Sequence, residues 1–231
     1  MSTQLTFGLS LRDDATFSNF YCTEENRLML THLKSSAIGR GERFIYLWGN
    51  QGVGRSHLLQ ASCQSAHQVG LTSLYLPLNE LQTLQCSILD GLEALHLICV
   101  DDFQKIAGNR EWEVAFLDFY NRMQEAHKRL VVAADAKPKT LALGLPDLVS
   151  RLSSGSMHVV HGLSDEQKME ALILRANARG MRINEEVAKF LFRRFPRDMR
   201  SLFDALNTLD RASLAAQRKI TIPFVKEILG L

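Results

Sequence analysis

The stretch GNQGVGRS, residues 49–56, constrains what this chain can fold into more than any other. Gly49, Gly52 and Gly54 follow the apolar run FIYLW (44–48) and precede SHLLQASCQSAHQV, a helical segment that stops near Gly70. A strand that ends in such a loop and restarts as a helix turns several backbone N–H groups toward one point, where they cradle a phosphate. Ser56 then stands where its hydroxyl reaches a divalent cation. Val53 and His57, inside and just after the loop, join the expected contacts. Arg55 occupies the position that such loops give to lysine. Its planar fork still touches phosphate oxygens but is wider than an ammonium point charge, so binding survives the change more easily than transition-state geometry does.

A loop of this kind needs a parallel sheet around it, and the flanking sequence supplies one. TSLYLP (72–77), HLICV (96–100), RLVVAA (129–134) and SMHVVH (156–161) read as further strands, the second of them terminated by Asp101 and Asp102. REWEVAFLDFYNRMQEAHK (110–128) carries Val114, Leu117, Tyr120 and Met123 at helical spacing, which predicts an inward face. Strands separated by helices of ten or more residues argue for parallel pairing, hence an α/β fold. The pattern changes near residue 162. In LSDEQKMEALILRANARG, Ser164 and Gln167 form a capping-box signature and Gly180 is a stop signal. NEEVAKFLFRRF, RDMRSLFDALNTLDRASLAA and TIPFVKEIL, the last with Pro223 in its first turn, complete a purely helical region. The expected organisation is an α/β domain over 13–162, a five-stranded parallel sheet between helical layers, and an all-α domain over 163–231.

Composition excludes several classes. The 46% hydrophobic and 23% charged content is that of a soluble globular protein. No apolar run approaches the roughly 18 residues that span a bilayer. The opening MSTQLTFGLSLRDD lacks the basic start and apolar core of a signal peptide. A net charge of +2 is too small to argue for direct nucleic-acid binding. Cys22, Cys63, Cys86 and Cys99 are scattered without metal-ligand spacing, which fits reduced thiols in a cytoplasmic protein.

LICVDD (97–102) is the natural partner of the glycine loop, because a strand that ends in acids delivers carboxylates beside it. Asp101 is placed to hold Mg²⁺ through water, together with Ser56. Asp102 stands where many ATPases use a glutamate to polarise the attacking water, and is one methylene short for that role. Together these segments resemble the AAA+ ATPases, and in particular the replication-initiator clade. VVAAD (131–135) resembles the sensor-1 strand end, with Asp135 as sensor. LPDLVSRLSSG (145–155) resembles the arginine-finger segment, with Arg151 as finger. PRDMRSLF (196–203) resembles the sensor-2 helix of the lid, with Arg200 directed to the nucleotide. TFSNFYCTEEN (16–26) resembles the clade's N-terminal segment, which implies that Phe20 and Tyr21 lie by the base.

Within that clade the chain resembles Hda, a family of DnaA-related regulators that inactivate the initiator DnaA after replication begins. QLTFGL (4–9) is similar to the peptide by which that family docks on the DNA polymerase III β sliding clamp, through Gln4, Leu5, Phe7 and Leu9, with residues 1–12 extended. Phe7 departs from the usual leucine, and Gly8 from the usual proline or similar residue. The sequence runs from this peptide to the end of the lid at Leu231, so neither the assembly domain nor the DNA-binding domain of DnaA is expected. The resemblance implies a bound ADP or another nucleoside diphosphate, negligible ATPase activity of its own, and Arg151 acting in trans on ATP held by DnaA on clamp-loaded DNA. A homodimer is left open, and no membrane contact is expected. The alternatives are an autonomous AAA+ motor or helicase loader, against which Arg55 and Asp102 argue, and a clamp adaptor with a vestigial nucleotide fold, against which the intact loop argues.

Overall fold

The computed structural model describes residues 15–80, 85–181 and 183–231. They form two compact units, one of residues up to Phe17 with Glu24–Val160, the other of Ser18–Thr23 with His161–Leu231.

The first unit is organised by five strands: β1 (Phe44–Trp48), β2 (Ser73–Pro77), β3 (Leu97–Asp101), β4 (Arg129–Ala134) and β5 (Ser156–Val159). All pairs are parallel, in the order β2-β3-β4-β1-β5. A parallel sheet must be covered on both faces, which is why β1, β3 and β4 are nearly continuous apolar runs. Alternation sends Tyr46, Ile98, Val100, Leu130 and Val132 to one face, where they meet Phe103, Phe116, Phe119, Leu148 and Leu152. Ile45, Leu47, Cys99 and Val131 are buried as well and take the opposite direction. On that side α2 (Arg55–Gln68) packs against β3, and α1 (Arg27–Ala37) against α2.

Five details differ from the sequence expectations. The inward stripe of α3 (Arg110–Glu125) is Glu113, Phe116, Phe119, Tyr120 and Met123, whereas Val114 is 41% exposed. Aromatic side chains bury about 150–250 Å² each, more than a valine offers, so the helix turns its rings inward. Phe103, Phe116 and Phe119 then stack edge to face, with centroids 4.7 and 5.6 Å apart. The connection from β2 to β3 carries only short 3₁₀ turns among its described residues, and α4 (Pro146–Ser153), between β4 and β5, has eight residues. Asp101 is the last residue of β3, paired with Pro77, and not the residue that stops it. Finally, α1 has no counterpart in the expectations, although Met29, Leu30, Leu33 and Ala37 are its buried stripe.

The second unit is helical: α5 (Asp165–Ala178), α6 (Glu185–Arg194), α7 (Met199–Ala216) and α8 (Ile222–Leu229). Each begins at a capping side chain, from Ser164, Asn184, Asp198 and Thr221. Such a cap contributes about 1 kcal/mol. The capping box read from the sequence is present, with Gln167 N–H donating to the Ser164 hydroxyl and Ser164 N–H to the Gln167 side chain. Leu172, Leu191, Leu202, Leu206 and Phe224 close its core. No helix among the described residues is long and apolar enough to cross a membrane.

Candidate functional site

The glycine loop lies between β1 and α2, as its sequence requires. Gly49 is there for close approach: a Cβ at this position would meet the Val160 carbonyl oxygen at 2.6 Å and Val53 Cγ2 at 3.2 Å. Gly52 and Gly54 are there for conformation, with φ of +81° and +102°, in the left-handed region that side chains avoid. Gly54 is the N-cap of α2 and uses no side chain for capping. The N–H groups of that first turn therefore keep their capacity for an outside acceptor.

Arg55 opens α2 and is only 8% exposed. Its Nη1 is buried with no hydrogen-bond partner among the described residues, and its Nη2 reaches no closer than 4.0 Å to Asp102 Oδ1. A buried guanidinium with an unsatisfied donor is costly. Beside a left-handed glycine turn and a helix N-terminus, the group it fits is an anion.

The acids behave differently from one another. Asp101 is buried and accepts from the Tyr75 hydroxyl (2.8 Å) and from the Asp102 N–H (2.9 Å). Burial raises its pKa first, and the neighbouring Asp102 charge adds to this, against the hydrogen bonds from Ser56 and Tyr75. The phenol of Tyr75 is in turn held neutral by burial and by Asp101. Ser56 and Asp101 are the pair that would bind Mg²⁺ through water. Asp102 sits in the left-handed region at φ 54°. Its carboxylate accepts from Gln104 Nε2 at 3.0 Å, and the other end of Gln104 accepts the Asp135 N–H at 3.2 Å. One glutamine thus ties the acid after β3 to the residue after β4. Tyr46 reaches the same edge, donating to the Ala136 carbonyl at 2.8 Å, and burial followed by the Asp135 charge raises its pKa.

Of the residues singled out in the sequence, the structure brings together Arg55 with Asp102 and, through Gln104, Asp102 with Asp135. His57 Nε2 hydrogen-bonds the Thr16 carbonyl at 2.8 Å, which fixes the entering chain over the start of α2. Arg151 is exposed in the last turn of α4. Phe20 and Tyr21 belong to the segment that groups with the helical unit, where the Tyr21 hydroxyl donates to Glu170 of α5. Arg200 is exposed in the first turn of α7. Gln4, Leu5, Phe7 and Leu9 lie outside the described residues. Tyr75, Gln104 and Tyr46 are additions that the sequence reading lacks.

Comparison with known proteins agrees with the fold. The model of the bacterial DnaA ATPase domain matches residues 11–159, and that of the Hda lid domain matches residues 165–229. Domain III of the Thermotoga maritima replication initiation protein DnaA superposes with a TM-score of 0.78 at 20% identity, covering 96% of this chain and 98% of that one. AMPPCP-bound DnaA from Aquifex aeolicus gives 0.70 at 22% identity, over 85% of this chain and 65% of that one. The Thermotoga maritima RuvB branch migration motor gives 0.63 at 14%, over 91% and 70%. At these identities the superpositions establish the fold, and the family models establish the lineage. The chain belongs to the DnaA-type AAA+ family, with a DnaA ATPase body followed by a lid of the Hda type.

Proposed function

We propose that this chain is a negative regulator of replication initiation, one that holds a nucleoside diphosphate and promotes hydrolysis of ATP bound to DnaA. The observation that carries the reading is the contrast between Arg55 and Asp102. The cradle is complete and contains a buried guanidinium donor waiting for an acceptor. The carboxylate that an ATPase would direct at water is engaged by Gln104 and faces Arg55. Such a site holds a phosphate better than it hydrolyses one.

In this reading Gly49, Gly52, Val53, Gly54, Arg55 and Ser56 bind the phosphates of ADP, and Phe20, Tyr21 and His57 border the nucleoside. Ser56 and Asp101 orient a hydrated Mg²⁺, and Asp135 and Arg200 face the phosphate end. A bound diphosphate supplies the negative charge that Arg55 lacks. The AMPPCP held by the Aquifex aeolicus relative supports a nucleotide in the same cradle. Arg151, exposed at the end of α4, acts in trans: a guanidinium directed at the γ-phosphate on DnaA stabilises charge that develops during transfer. Gln4, Leu5, Phe7 and Leu9 attach the chain to the DNA-loaded β clamp as an extended peptide.

The test is phosphate release from ATP-bound DnaA in the presence of clamp-loaded DNA, with wild type and Arg151→Ala at equal clamp occupancy. Fingers of this kind are worth about 10³–10⁵ in rate in GTPases. The variant should keep ADP and the clamp yet lose nearly all stimulation, with poor rescue by Arg151→Lys, because a point charge does not reproduce the planar fork. Equal stimulation by both proteins would refute the reading. Several ATP turned over per minute by the chain alone would favour an autonomous motor instead.

A further inference from the structure

Glu113 is a carboxylate with 0% exposure in the core of the α/β unit. None of the ion pairs among the described residues involves it. Its partners are backbone N–H groups from two loops. Oε1 accepts from Gly108 at 2.8 Å and from Gly144 at 3.1 Å. Oε2 accepts from Gly144 at 2.9 Å and from Leu145 at 3.0 Å.

Leu145 is the N-cap of α4, with Pro146 immediately inside the helix, and that N-cap makes no side-chain capping bond. The sequence LP at this start offers no hydroxyl, amide or carboxylate of its own. Glu113, reaching across from α3, supplies the missing acceptor, and its charge lies at the positive end of the α4 dipole. At its inner face α4 is anchored by Leu148 and Leu152. Two leucines fix depth, whereas the start of the helix fixes where its last turn, and so Arg151, stands along the edge.

We infer that Glu113 is a positioning residue for Arg151: its buried carboxylate clamps residues 144–145 and sets the start of the finger-bearing helix. The part that concerns Arg151 rests on the function proposed above. Glu113→Gln keeps the shape but replaces one oxygen with an NH₂ that must face a backbone N–H, whichever way the amide turns. Glu113→Asp keeps the charge but is one methylene short.

Two measurements on the full chain separate the possibilities. The first is amide hydrogen exchange over 143–153, which does not depend on what Arg151 does. It should speed up in Glu113→Gln, less so in Glu113→Asp, with the segments around the glycine loop unchanged. The second is clamp-dependent phosphate release at varied DnaA concentration. Glu113→Gln should lower maximal stimulation about tenfold to a hundredfold, as a misplacement near 1 Å does, while leaving half-saturation in place. Adding Arg151→Ala to it should then cost nothing beyond Arg151→Ala alone. Unchanged exchange over 143–153 overturns the inference. So does a drop in melting temperature with undiminished stimulation per folded molecule. Faster exchange together with full stimulation by Arg151→Ala sinks the proposed finger and leaves Glu113 as the clamp of α4. If Glu113→Gln does not fold, Glu113→Asp decides by the same two readouts.

Discussion

Replacing Arg55 by methionine should have opposite effects on the nucleotide-free and the nucleotide-bound protein. Methionine keeps a flexible stem of similar reach and removes the guanidinium. Among the described residues the buried Nη1 donor of Arg55 has no protein partner, and such a group costs about 1–3 kcal/mol when no ligand meets it. The only ion pair of Arg55 among the described residues is the 4.0 Å approach to Asp102, too long for a hydrogen bond, and Asp102 keeps its bond from Gln104 without it. Relief of the buried donor should therefore win, and the apo melting temperature should hold steady or rise. At about 2–4 °C per kcal/mol for a chain of this size, the rise is a few degrees. With ADP the sign reverses. A charge-assisted hydrogen bond to phosphate is worth about 1.5–3 kcal/mol, so affinity should fall about tenfold to a hundredfold. Differential scanning fluorimetry with and without ADP reads both effects, and titration calorimetry checks the second. If the apo protein melts several degrees lower and the ADP-induced shift is intact, Arg55 is part of the scaffold and the cradle argument fails.

Three further outcomes are expected. Arg200→Ala should weaken ADP binding while the α/β unit keeps its melting behaviour; unchanged affinity would reduce Arg200 to a surface residue of α7. Deletion of residues 1–10 should abolish capture by immobilised β clamp with little change in melting temperature, and a large stability loss would mean that Leu5 and Phe7 belong to the fold. His158 Nε2 lies 3.1 Å from His32 Nδ1 and 2.9 Å from the Ser156 hydroxyl, and burial, then the His32 charge, lower its pKa against an opposing effect of Glu42. The unfolded chain therefore takes up this proton first, and stability is lost as pH falls from about 6.5 through the folded value. His158→Gln should flatten the decline of melting temperature in that window, and an identical slope would contradict it.

The parts of the fold that could be read in advance are those where one short segment states its own requirement. A five-residue apolar run before glycines is a buried parallel strand, and Ser164 with Gln167 caps a helix from either end of its first turn. The inward face of α3 was harder to read, because Val114, Leu117, Phe116 and Phe119 are all apolar and the sequence does not say which pairs meet the sheet. Burial of the larger rings decided it. The chain between β2 and β3 departs from expectation for another reason: crossing from one parallel strand to the next requires length, and its described residues supply length in 3₁₀ turns.

The same division runs through the site. Gly49, Gly54, Arg55 and Ser56 are neighbours in sequence, so their convergence is dictated by one turn of backbone and is visible in the letters. Asp101 and Asp102 are adjacent as well, yet they have opposite surroundings, and nothing in VDD tells them apart. Asp101 ends a strand facing Ser56 and Tyr75, whereas Asp102 starts a left-handed turn and meets Gln104. Gln104, a residue with no motif, engages the second acid and the backbone of Asp135 at once. Glu113 makes the same point. As a letter on an amphipathic helix it reads as solvent-facing, and only the two loops that fold over it make it a buried acceptor. A motif can announce that a phosphate is bound. Whether it is cleaved, and on which molecule, depends on side chains whose partners lie 2 to 32 residues away and are chosen by packing.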